Sequence, residues 1–183
     1  MNESTEKVLL RDCDAIRIPS GETIHLTKGS TVMITQALGG SYTVATSEGL
    51  ARITAENADA LGLESVVSPK ADGEGASSVP VEEGAVWEQL KTCYDPEIPV
   101  NIVDLGLVYD CLVAQDPGSP ARVQVKMTLT APGCGMGPVI AREAEQKILS
   151  LPGVGEAAVE VVWDPPWNQS MISEVGKMKL GLI

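Results

Sequence analysis

The sequence predicts two small domains of different class: an all-β module, then an α/β (α+β) domain whose helices pack on a small three-stranded sheet. Three observations carry that prediction. Apolar residues alternate in short runs before residue 68, strand and helix spacings take turns after residue 80, and the segment between shows neither pattern. The chain has 183 residues, no Phe and 3% aromatic residues, so both cores are built from Val, Ile, Leu, Ala and Met.

In the first domain, residues 1–67, the alternating runs are Ala15-Ile16-Arg17-Ile18, Thr23-Ile24-His25-Leu26, Thr31-Val32-Met33-Ile34, Tyr42-Thr43-Val44 and Arg52-Ile53-Thr54. Pro19-Ser20-Gly21, Lys28-Gly29-Ser30 and Gly39-Gly40 separate them as turns. Such short, closely spaced strands suggest an SH3-like barrel or a meander. Residues 68–80, rich in Gly, Ser, Pro and Ala, read as a flexible linker.

The second domain, residues 81–183, opens with Val86, Trp87, Leu90 and Tyr94 at helical spacing. Leu107 to Cys111 reads as a strand. Val123 to Thr130 reads as another, whose strict alternation turns Val123, Val125, Met127 and Leu129 to the core. Ile140, Ala144, Ile148 and Leu151 mark one face of a helix that starts near Pro138 and stops before Pro152-Gly153. Ala157, Val159, Val161 and Trp163 are expected on the inward face of a third strand, and a last helix over Ser170 to Met178. The order is α-β-β-α-β-α.

Composition excludes several functions. The net charge is −12, which repels phosphate backbones and anionic membrane surfaces, so neither nucleic acid nor membrane is an expected partner. No apolar run approaches the roughly 18–20 residues of a membrane span. The first seven residues do not read as a secretory signal, so the expected location is the cytoplasm with four reduced thiols. No Gly-x-x-x-x-Gly-Lys-Ser/Thr loop is present for ATP.

The sharpest local feature is Thr130-Ala131-Pro132-Gly133-Cys134-Gly135-Met136-Gly137-Pro138. A strand gives way to a glycine loop and then to a helix with proline in its first turn, so Cys134 is expected near a helix N-terminus, which favours a thiolate by roughly 0.3–2 kcal/mol. The glycines leave its sulfur approachable, against the plain alternative of a small residue packed in a tight turn. Cys13, Cys93 (on a helix) and Cys111 (ending a strand) read as ordinary packing residues. A Cys–His dyad is disfavoured, because the single histidine, His25, lies in the other domain as an exposed strand residue.

Two further segments carry two readings each. Asp95-Pro96-Glu97-Ile98-Pro99 is either a helix stop with an Asx turn or, with Asp104, a set of carboxylates brought beside the thiol loop. Trp167, after Pro165-Pro166, is either a cap over the sheet or a partner-docking surface.

Asp95-Pro96-Glu97-Ile98-Pro99-Val100, Val103-Asp104-Leu105-Gly106-Leu107-Val108, Leu129-Thr130-Ala131-Pro132-Gly133-Cys134 and Trp163-Asp164-Pro165-Pro166-Trp167 together resemble the successive motifs of the SufT-type iron–sulfur cluster assembly family, over residues 81–183. The first module, with Gly39-Gly40-Ser41-Tyr42-Thr43-Val44, resembles that of the longer bacterial members. The resemblance implies an auxiliary maturation factor that helps deliver clusters to client apoproteins and is not an enzyme. It places the family's acidic motif on Asp95 and Glu97, a second acidic position on Asp104, the loop threonine on Thr130, and the reactive, metal-binding cysteine on Cys134. Carrier or scaffold proteins and client apoproteins are the implied partners. A cluster usually takes four thiolates, so one approachable cysteine implies transient or shared binding, in one form between the chains of a homodimer. A pure adaptor without thiol chemistry and a thiol-dependent enzyme are the competing readings.

Overall fold

The computed structural model describes residues 5–64 and 79–183. The chain divides into two compact units, Met1–Pro69 and Lys70–Ile183. The expected linker lies outside the described residues over positions 68–78.

The first unit is one antiparallel six-stranded sheet: β1 Thr5–Val8, β2 Cys13–Arg17, β3 Thr23–Leu26, β4 Thr31–Leu38, β5 Ser41–Thr46 and β6 Gly49–Ile53, in the order β1-β4-β5-β6-β2-β3. Only β4-β5-β6 run as a meander within that order. Alternation pairs the sheet with its core: Cys13, Ala15, Val32, Val44, Ala51 and Ile53 are buried together with Leu9, Ala60 and Leu61. A 3-10 helix, Ala55–Leu61, contributes the last two and ends at Gly62 in the left-handed region. The strand β1 and this helix are additions to the sequence reading.

The second unit follows the expected order. Its elements are α1 Glu83–Leu90, β7 Val108–Ala114, β8 Ala121–Met127, α2 Gly137–Leu149, β9 Val154–Val161, a 3-10 turn at Gln169–Met171 and α3 Glu174–Leu180. The sheet order is β7-β8-β9, antiparallel between the first pair and parallel between the second. β8 alternates as the sequence predicts, with Ala121, Val123, Val125 and Met127 buried and Arg122, Gln124 and Lys126 exposed. α1 and α2 pack on the sheet and on each other, burying Val86, Leu90, Ile140, Ala144 and Ile148.

Four expectations are corrected. Trp163 does not continue the core face: β9 ends at Val161 and Trp163 is 47% exposed. Alternation in the sequence outlasts the strand because the strand stops where its partner does. The last helix is not continuous from Ser170; the chain breaks at Ile172 and restarts with Ser173 capping α3 through the Gly176 N–H. Cys93 lies beyond α1 rather than on it, and Cys111 sits inside β7 rather than at its end. Among the described residues no helix is long and apolar enough to cross a membrane.

Candidate functional site

β8 and β9 are parallel and joined through α2, so both strands end beside the N-terminus of α2. β7 is antiparallel to β8, so the segment leading into β7 reaches that same end. Backbone bonds confirm the convergence: Thr128 N–H donates to the Leu107 carbonyl (2.7 Å) and Val162 N–H to that of Met127 (2.7 Å). Segments 101–107, 128–136 and 162–168 therefore share one end of the sheet, as ligand-binding loops of parallel sheets do.

Segment 128–136 holds Cys134. Cys134 is the half-buried cysteine; Cys13, Cys93 and Cys111 are all buried. Burial pushes the Cys111 thiol up to about 11 and raises that of Cys13, which leaves both poorly ionised. The turn consumes the backbone of Cys134: its N–H donates to Ala131 (3.4 Å) and its carbonyl accepts from Gly137 (3.2 Å). The N–H groups of Gly135, Met136 and Val139 find no acceptor among the described residues. Pro138, in the first turn of α2, has no N–H to satisfy. Thr130 is half-buried in this loop and its hydroxyl makes no hydrogen bond among the described residues. Thr128, just before, is 1% exposed with an unpartnered hydroxyl.

Segment 95–107 is built differently. Asp95, 7% exposed, accepts from the N–H groups of Glu97 and Ile98, both at 2.9 Å. That is the Asx turn, and it occupies the carboxylate locally. Glu97 is exposed. The Asp104 side chain, 15% exposed, accepts from Asn101 Nδ2 (2.7 Å), Ser173 Oγ (3.1 Å) and Lys179 Nζ (3.3 Å). Its carbonyl accepts from Ser173 N–H (2.8 Å). Burial works to raise the pKa of Asp104, but the bonds from Asn101, Ser173 and Lys179 and the Lys179 charge outweigh it, so the group stays below the usual carboxylate range. Asp104 thus ties the loop to α3. No hydrogen bond or ion pair joins Asp95, Glu97 or Asp104 to Cys134 or Thr130 among the described residues.

The C-terminal segment closes over the same loop. Trp167 Nε1 donates to the Leu105 carbonyl (2.8 Å), and Tyr109 OH donates to that of Pro165 (2.7 Å). Gly106, at φ +71°, passes so close to Met171 that a Cβ there would land on the Met171 carbonyl. Trp167 is half-buried by this anchoring, and the exposed tryptophan of the motif is Trp163. The strap formed by Asn101, Gly106, Tyr109, Ser173 and Lys179 escaped the sequence reading. Its one local signal is Ser173 with Glu174 in the first turn and Gly181 past the end of α3.

His25 is exposed in β3, where its hydrogen bond to Asp14 (2.9 Å) raises its pKa. Among the described residues no group of three or more His, Cys, Asp or Glu is arranged to hold a metal ion.

The iron–sulfur cluster assembly protein family model matches residues 83–161. An Fe-S protein maturation auxiliary factor of Porphyromonas gingivalis is 40% identical over 101 residues, covering 55% of this chain and 92% of that protein. The Fe-S protein maturation auxiliary factor SufT of Staphylococcus aureus is 41% identical over 88 residues, covering 48% of this chain and 96% of that one. A crystal structure of a domain of unknown function from Bacillus anthracis aligns with a TM-score of 0.47 at 40% identity, covering 55% of this chain and 92% of its own.

Proposed function

The chain belongs to the iron–sulfur cluster assembly protein family, and from that premise we propose that it is an auxiliary maturation factor that helps pass clusters to client apoproteins through Cys134. The observation that carries this reading is the contrast among the four cysteines: three are buried, and Cys134 is half-exposed in an uncharged loop at the shared end of the sheet. The relatives are named as maturation auxiliary factors, which fits a protein with no turnover chemistry of its own.

The cluster is cargo in this reading. One cysteine supplies one of the usual four thiolates, so the others come from a carrier or scaffold protein, from a client, from small thiols, or from a second copy of the chain. Labile, incomplete ligation suits transfer better than storage. Asp95 and Asp104 act as braces for the loop beside Cys134, while Glu97 stays open to a partner and Thr130 lines the thiol loop. The reduced thiol that this requires is the default state in a cytoplasm, the proposed location.

Anaerobic reconstitution with iron, sulfide and glutathione tests the assignment. Wild type is expected to gain the visible absorption of thiolate–iron bonds, and Cys134→Ser to lose it. Equal absorption in the two proteins would overturn the role of Cys134.

A further inference from the structure

β9 is an edge of the second sheet, and its outer side carries no strand. The register with β8 runs unbroken from Arg122 opposite Glu156 to Met127 opposite Val161. Val162 N–H donates to the Met127 carbonyl, so by the alternation of a parallel ladder the backbone groups of Glu156, Ala158 and Glu160 point to β8. The N–H and C=O groups of Ala157, Val159 and Val161 point outward, and among the described residues none of them has a hydrogen-bond partner. The other sheet edges are shorter or broken. β1 and β3 have four residues each, and β7 carries a register shift between Val108 and Asp110. Shortness and bulging are the usual protections of an edge, and β9 has neither over these six residues.

Charge decides what this edge accepts. Ala157, Val159 and Val161 share the buried side of the sheet with their β8 partners Val123, Val125 and Met127. On the other face Glu156, Ala158 and Glu160 are exposed, in that order along the strand. The bases of that face, Arg122 and Lys126, stand one strand inward, opposite Glu156 and Glu160, with Arg122 Nε 3.3 Å from Glu156. The outermost strand is therefore acidic. A second copy is a poor match for it, because pairing Glu156–Glu160 antiparallel with itself sets Glu156 of each chain opposite Glu160 of the other.

We propose that the outer edge of β9 is a docking site for an extended segment of a partner protein, which adds as an antiparallel strand and carries two basic residues four positions apart with apolar residues between. In that pairing the bases stand directly opposite Glu156 and Glu160. The residues opposite Ala157 and Val159 exchange backbone hydrogen bonds with them and turn apolar side chains to the α2 side of the sheet. Main-chain bonds supply the hold, and the two carboxylates select the partner. The inference goes beyond the maturation reading and does not depend on the role of Cys134.

Amide hydrogen exchange in the full chain, read by NMR with and without a saturating peptide, provides the test. The first peptide is acetyl-Thr-Lys-Val-Thr-Val-Lys-Thr-amide. A second has Glu in place of both Lys, and a third is the first N-methylated at both Val, whose N–H groups would face β9. With the first peptide the amides of Ala157 and Val159 are expected to exchange about tenfold more slowly or less, while that of Ala158, already bonded to β8, keeps its rate. The acidic and N-methylated peptides are expected to leave all three rates unchanged. Glu156→Gln combined with Glu160→Gln, both at exposed positions, is expected to weaken binding of the first peptide about fivefold. No protection with the first peptide, protection by the acidic one, or protection that survives N-methylation would overturn the proposal, and none of these outcomes needs a variant to fold. Unchanged affinity in the double variant would overturn it too. A dimer in sedimentation whose Ala157 and Val159 amides are already protected would give the edge to a second copy and likewise overturn it.

Discussion

Two loops end at the same edge of one sheet and are held there by opposite means. Segment 95–107 is fastened by side chains: Asp95 caps its own turn, Asp104 grips Asn101, Ser173 and Lys179, and Trp167 binds the Leu105 carbonyl. Segment 128–136 is fastened by backbone hydrogen bonds and by the buried Leu129 and Met136, with no side-chain hydrogen bond among the described residues, and it carries no charge. The difference separates a brace from a presenting loop. Polar side chains spent on internal bonds stabilise the edge, and a loop whose polar side chains make no such bonds keeps its thiol open to a partner.

Substitutions in the two loops should therefore diverge. The largest expected effect is at Gly106→Ala, which combines a left-handed backbone with a clash against Met171 and should cost about 3 kcal/mol or more in urea unfolding. Gly133→Ala is its control: φ is +81°, but nothing lies within 4 Å of the added Cβ, so the expected cost is about 1 kcal/mol. Equal losses at the two glycines would break the contrast.

Asp104→Ala comes next. Removing a carboxylate that three donors share strands Asn101 and Ser173 and should cost about 1–3 kcal/mol near neutral pH. The pH dependence has a definite sign. Asp104 is held below its ordinary value in the fold, so its contribution is present above the unfolded value and fades as pH falls through the folded one. The gap in urea midpoint between wild type and Asp104→Ala should narrow below about pH 4. A gap that stays constant to the lowest pH would show that the carboxylate charge is not what braces α3.

Trp167→Phe keeps an aromatic ring, though a smaller one, and deletes the bond to Leu105, so a loss of about 1 kcal/mol or somewhat more is expected, read from the same unfolding curves. Cys134→Ala should shift stability by no more than about 0.5 kcal/mol, because the thiol is half-exposed and braces nothing.

The legible parts of this architecture are those that local pattern determines. The strict alternation of β8 gave its buried face, Pro138 and Pro152 bounded α2, and the glycine-rich run set Cys134 apart from the other three cysteines. The Asx turn at Asp95 is readable from Asp95-Pro96, and the Glu97 and Ile98 N–H groups form it. What escaped is long-range. Asp104 reads as a free carboxylate until Ser173 and Lys179 arrive from 69 and 75 residues away, and no local spacing announces them. Trp163 fits the alternation of β9, but hydrogen-bond pairing rather than side-chain period decides where a strand stops. β1 is short and polar, and its only signal is the partner β4 that it meets after the fold forms.

The central claim is that Cys134 is presented for use and not packed for stability, and complementation measures it most directly. In cells lacking the native gene, Cys134→Ala should accumulate and, once purified, unfold at the wild-type urea midpoint, yet leave iron–sulfur client enzymes at the activity of the deletion strain. Full client activity with that variant would contradict the account.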